Sequence, residues 1–119
     1  MRDINILKSN GIDVDNGVEI LGDIEMYDET LEDFLSECEE RIPNMIEYKN
    51  SGDMENYAIL VHAMKGDSKY LGFTKLAELS LDHQLKSQAG DLEYVNSHYE
   101  ELMMEVNRVI DLVSKYLEK

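Results

Sequence analysis

Basic side chains are scarce in this sequence. Its 119 residues carry 11 Lys and Arg against 26 Asp and Glu, a formal net charge of −15. A nucleic-acid backbone needs a basic surface, so the deficit argues against DNA and RNA as partners. Anionic membrane surfaces are disfavoured for the same reason, and proteins with positive patches are favoured. Cysteine is nearly absent. Cys38 stands alone, so no intrachain disulfide can form. On an apolar helical stripe it behaves as a small hydrophobe, which fits a reducing compartment. There is one proline, Pro43. No run approaches the ~18 apolar residues of a membrane span. The opening Met1-Arg2-Asp3-Ile4-Asn5 lacks the apolar run of a signal peptide. These absences suggest a cytoplasmic protein, or a piece of a longer one. Strand-like alternation, low-complexity segments and interdomain linkers are missing too. With 43% apolar residues, one globular domain over residues 1–119 is expected.

Helical periodicity is what the chain does contain. Gly22-Asp23-Ile24-Glu25, Gly52-Asp53-Met54-Glu55 and Gly90-Asp91-Leu92-Glu93 repeat one punctuation. Glycine ends an element, aspartate caps the next helix, and glutamate complements its dipole. The last helix is the plainest, from about Leu92 to Leu117. Leu92, Val95, Tyr99, Leu102, Val106, Val109, Val113 and Tyr116 form its seam. A second helix starts near Ile24, with Tyr27, Leu31, Phe34, Cys38 and Ile42 inward and Met45 and Ile46 on the same stripe. Pro43 should kink it or split off its last turn. A third, from about Met54 to Leu71, turns Tyr57, Val61, Met64, Ser68 and Leu71 inward and stops at Gly72. A fourth, from about Thr74 to Ser87, offers Leu76, Ala77, Leu79 and Leu81 to the core. Two short helices precede these: Ile4 to Ser9, stopped by Gly11, and Gly17 to Leu21, capped by Asp15. The expected fold is all-α. Residues 23–119 form an antiparallel up-down four-helix bundle, and residues 1–22 supply short helices that cap one end.

The chemistry concentrates in Val61-His62-Ala63-Met64-Lys65-Gly66. His62 lies about 100° round the helix from the inward Val61, so it faces outward or sits at the rim. Lys65 and Gly66 follow it three and four residues on, and Lys69 follows seven on, all on the same face. Glycine costs a helix interior about 1 kcal/mol relative to alanine, so a reason for Gly66 is needed. Open access to the imidazole is one. A histidine side chain is largely neutral and nucleophilic at pH 7. A phosphoryl group on it would carry about two negative charges, which Lys65 and Lys69 would offset. The spacing by itself fits a polar surface histidine equally well. His83 and His98 lack lysine and glycine neighbours at these spacings and are read as packing or surface residues. Nothing in the spacing demands a zinc site. The stretch Asp13-Val14-Asp15-Asn16-Gly17 is not a calcium loop, because Ile24 stands where such a loop needs glutamate.

The pattern His62-Ala63-Met64-Lys65-Gly66-Asp67-Ser68-Lys69-Tyr70-Leu71-Gly72 resembles the histidine-containing phosphotransfer (HPt) domain of bacterial phosphorelays. The capped helix before the histidine, the Gly90-Asp91 start of the last helix and the stretch Gly22 to Leu35 extend the resemblance to about Gly11–Leu117. It implies a four-helix bundle that relays phosphoryl groups between aspartates of receiver domains, without ATP-binding or kinase machinery. No Gly-rich nucleotide loop is present, in agreement. By the resemblance His62 is the phosphorylated residue, Lys65 stabilises the phosphoryl group with help from Lys69, and Gly66 permits access. Gln84 would orient the imidazole, and Ile59 and Ala63 would form an apolar docking surface. Partners would be response-regulator receivers or a hybrid histidine kinase, met by a monomer with no cofactor of its own. Mg²⁺ would reside on the receiver. Asp67 departs from the family pattern and puts an acid near the phosphoryl site. The alternative is a helical adaptor that keeps the bundle and transfers no phosphate.

Overall fold

The computed structural model describes residues 2–119. The helices are α1 (Asn5–Lys8), α2 (Val14–Leu21), α3 (Ile24–Ser51), α4 (Met54–Leu71), α5 (Thr74–Gln88) and α6 (Leu92–Leu117). Among the described residues there is no strand. The four long helices form a ring in chain order, with α6 closing back on α3. At ~1.5 Å per residue, the 28 residues of α3 account for most of the 44 Å long axis.

The aspartates of the repeated punctuation do cap their helices. Asp23, Asp53 and Asp91 accept from the backbone N–H of Met26, Asn56 and Tyr94. Asp13 uses the same device on Asn16, so α2 starts at Val14 and not at Gly17, and Asp15 is not its cap. Gly17 lies inside α2, where a Cβ would come 2.5 Å from a Tyr27 ring carbon. It is there for close packing rather than as a helix start.

Pro43 also departs from expectation, because α3 runs unbroken through it. One backbone bond is lost, but Met45 beyond it is fully buried and Tyr48 packs against the core. That packing keeps the last turns helical. Ile46 points outward at 40% exposure, so the inward stripe ends at Met45. Burial pushes the Cys38 thiol up to about 11, which leaves it protonated and inert.

The stripes of α4 and α6 pack as their spacing predicts, with Leu92 and Tyr99 half-buried. Helix α5 differs. Leu76 and Ala77 are buried, but Leu79 is only half-buried and Leu81 is exposed. Its inner face continues instead through Ser80, His83, Gln84 and Ser87. With Ala58 and Ser68 on α4, the small side chains Ala77, Ser80 and Ser87 let α4 and α5 approach closely.

One end of the bundle is tied by three polar contacts. The Tyr27 hydroxyl donates to the Leu71 carbonyl at 2.7 Å. The Asp13 N–H donates to the Gly72 carbonyl at 2.9 Å. The Tyr116 hydroxyl donates to Asp28 at 2.7 Å. These contacts join α2, α3, α4 and α6. At Gly72, φ is +81° and a Cβ would overlap the Asp13 backbone, whereas a Cβ at Gly66 would meet nothing within 4 Å. Gly72→Ala should therefore lose on the order of 3 kcal/mol, from left-handed strain plus the clash. Gly66→Ala should gain up to about 1 kcal/mol from helix propensity. Urea melts of the two variants check the opposite signs.

Candidate functional site

His62 is exposed on the outer face of α4, as the helical phase requires. Its Nδ1 lies 3.1 Å from Oε1 of Gln84 on α5. An amide oxygen can only accept, so Nδ1 carries the proton and donates. Nε2 is then left with its lone pair, pointing away from the contact. Gln84 is itself 8% exposed, held between the two helices. The Ser87 hydroxyl donates to the carbonyls of His83 and Gln84 and braces the same turn. The pairing expected of Gln84 is thus present, with Gln84 as acceptor.

Gly66 is in the helix interior, and no neighbouring atom requires a glycine there. Folding therefore gives no reason for the glycine. Lys65 is half-buried and Lys69 exposed. Neither has an ion-pair partner among the described residues. All three arginines do: Arg2 with Asp28, Arg41 with Glu37 and Asp67, and Arg108 with Glu105. In so acidic a chain, free cations beside an exposed imidazole form a distinct electrostatic feature.

Asp67 corrects the sequence reading. Five residues past His62, it lies about 140° round the helix and turns toward α3. There its carboxylate sits 3.0 Å from Nη2 of Arg41. The contact is ionic and not an aligned hydrogen bond. Glu37 approaches the same guanidinium at 3.0 Å. Burial, and then the neighbouring Asp67, raise the Glu37 carboxyl above its ordinary range. The acid expected beside His62 is therefore paired with Arg41 on another face. Sequence spacing could not show this, because Arg41 comes from a different helix.

Ile59 is 61% exposed one turn before His62, and Ala63 is half-buried next to it. An open groove of about 720 Å³ runs between α4 and α5 here, with Ala58, Ile59, His62, Gln84 and Gln88 among its walls. Leu85, 54% exposed, follows Gln84 and was not singled out from the sequence. Its outward phase relative to buried Gln84 was the available signal.

His83 is a core residue. The Tyr57 hydroxyl contacts its Nδ1 at 2.9 Å, and its Nε2 contacts the His98 carbonyl at 3.2 Å. A neutral ring with Nε2–H satisfies both contacts. His98 stacks on Tyr94 with ring centroids 3.9 Å apart. Neither histidine joins His62.

Residues 29–112 match the Hpt domain. The chain belongs to the Hpt domain family. It is also 27% identical over 95 residues to the phosphorelay intermediate protein rdeA of Dictyostelium discoideum, a match covering 80% of this chain. The same match spans 37% of that relative's length. That relative is from Dictyostelium, so the comparisons do not bear out a restriction to bacterial phosphorelays. No solved structure matches significantly.

Two outcomes follow from the histidines. If Gln84 fixes the His62 tautomer, ¹⁵N spectra at alkaline pH should show the Nδ1–H form. Gln84→Leu should shift His62 toward Nε2–H. At His83, burial lowers the folded-state pKa below the ordinary 6.5. As pH falls through about 6.5 the unfolded chain takes up a proton that the folded chain refuses. Stability therefore drops, by at most about 1.4 kcal/mol per pH unit, until the folded pKa is passed. His83→Gln should show a shallower loss of stability from pH 7 to 5 in parallel urea melts.

Proposed function

We propose that this Hpt domain carries a phosphoryl group on Nε2 of His62, passing it between aspartates of receiver domains. The observation that supports this reading most is the His62–Gln84 contact, which ties up Nδ1 and leaves an exposed Nε2 lone pair. In the forward step that lone pair attacks the phosphorus of a receiver's phospho-aspartate, opposite the acyl oxygen. The N–P bond forms as the O–P bond breaks, and the electron pair leaves on the aspartate carboxylate. The ring becomes an imidazolium carrying Nδ1–H and Nε2–phosphoryl. Gln84 Oε1 stabilises the Nδ1–H, and Lys65 and Lys69 face the phosphoryl charge. The reverse step returns the group to a second aspartate.

The receiver supplies the Mg²⁺ and most of the transition-state stabilisation. The Hpt chain contributes a positioned nucleophile, open space at Gly66 and an apolar rest at Ile59 and Ala63. In this reading the chain is a phosphocarrier and not a kinase, works as a monomer in the cytoplasm, and meets receivers or a hybrid histidine kinase. Among the described residues, no helix is long and apolar enough to cross a membrane. An adaptor that kept only the bundle would have no use for an exposed imidazole with a fixed tautomer, so the carrier reading is preferred.

Mixing the chain with a phosphorylated receiver should place acid-labile, base-stable phosphate on His62. His62→Gln should take up none, and uptake by that variant would refute the proposal. Lys65→Ala should slow transfer about tenfold without changing the melting midpoint.

A further inference from the structure

The bundle has a second groove, on the side away from His62. It lies between α3 and α6, has a volume of about 620 Å³, and is walled by Leu35, Cys38, Ile42, Pro43 and Ile110. Glu32, Glu39 and a single cation, Lys119, also line it. Because α4 and α5 form the opposite edge of the ring, a partner seated here would leave His62 free. Along α3 the residues Glu32, Leu35, Glu39, Ile42 and Ile46 alternate spacings of three and four, so one stripe interleaves acid with apolar side chains. Glu39 has no ion-pair partner among the described residues, and Glu32 has only long contacts, 3.5 Å to Arg2 and 3.9 Å to Lys119. Pro43 adds a polar feature. Having no N–H, it leaves the Glu39 carbonyl without its usual intrahelical donor. The groove thus offers an apolar floor, a carboxylate and a spare acceptor.

Charge selects the occupant. A second copy would bring net charge −15 against −15, and an anionic lipid surface would be repelled likewise. We propose that the α3–α6 groove is a docking surface for a cationic amphipathic helix of a partner protein. Apolar side chains at i, i+3, i+4 and i+7 fill the floor, and a Lys or Arg meets Glu39 and its free carbonyl.

The test uses the full chain, ¹⁵N-labelled, at about 0.15 M salt to screen long-range attraction. The probe is a synthetic Leu/Lys helix of about 18 residues, five turns, with all its leucines on one face. A scrambled isomer of the same composition is the control. Shift changes confined to α3 and α6, with the isomer about tenfold weaker, support the proposal. Further support is about tenfold weaker probe binding by both Ile110→Glu and the surface variant Glu39→Lys, when Glu39→Lys still accepts phosphate on His62 at the wild-type rate. Shifts centred on His62, equal binding of the isomer, or unchanged binding by Glu39→Lys overturn it. A concentration-dependent dimer abolished by Ile110→Glu overturns it too, assigning the groove to a second copy.

Discussion

The close approach of α4 to α5 is the constraint on which the rest of this structure depends. Gln84 reaches Nδ1 of His62 only because small side chains line the seam between the two helices. A leucine at Ser68 or Ser80 would push the helices apart, and a shift of one ångström would break the contact. The seam also explains why α5 carries polar residues inward. His83 fills space there as a neutral ring with both nitrogens satisfied, so the core accepts it without a buried charge. Packing and chemistry are therefore decided by the same few positions.

Electrostatics divides the molecule in a related way. Each arginine is fixed to carboxylates that join or brace elements, such as Arg41 between Glu37 and Asp67 or Arg108 on Glu105. Arg108 also donates to the Asn10 carbonyl at 2.9 Å and so holds the N-terminal segment on α6. Lys65 and Lys69 make no such pairs. Arg41 holds Asp67 on the α3 side, which keeps Asp67 from competing for the charge beside His62.

Much of this was legible in the sequence, for identifiable reasons. Aspartate caps act over three residues, so Asp23, Asp53 and Asp91 could be read directly. The stripes of α4 and α6 are long enough for their period to be unambiguous, and the outward phase of His62 follows from α4 alone. What could not be read depends on contacts between helices. Gly17 looked like a helix start because its reason, the Tyr27 ring, lies on α3. Pro43 looked like a break because the packing of Met45 that outweighs it is tertiary. Asp67 looked like a neighbour of the site because its partner, Arg41, is far away in sequence.

The polar ties at the far end of the bundle have a consequence for where the domain begins and ends. The family pattern covers residues 29–112. Tyr27, Asp28 and Tyr116 fall just outside it, as do Asp13 and Gly17. The matched stretch carries the seam and the histidine, while several residues of the clasp lie outside it. A fragment cut at the limits of the shared pattern would keep every residue of the candidate site and lose the clasp. The site and the cooperatively packed unit then have different boundaries, and the N-terminal helices belong to the second.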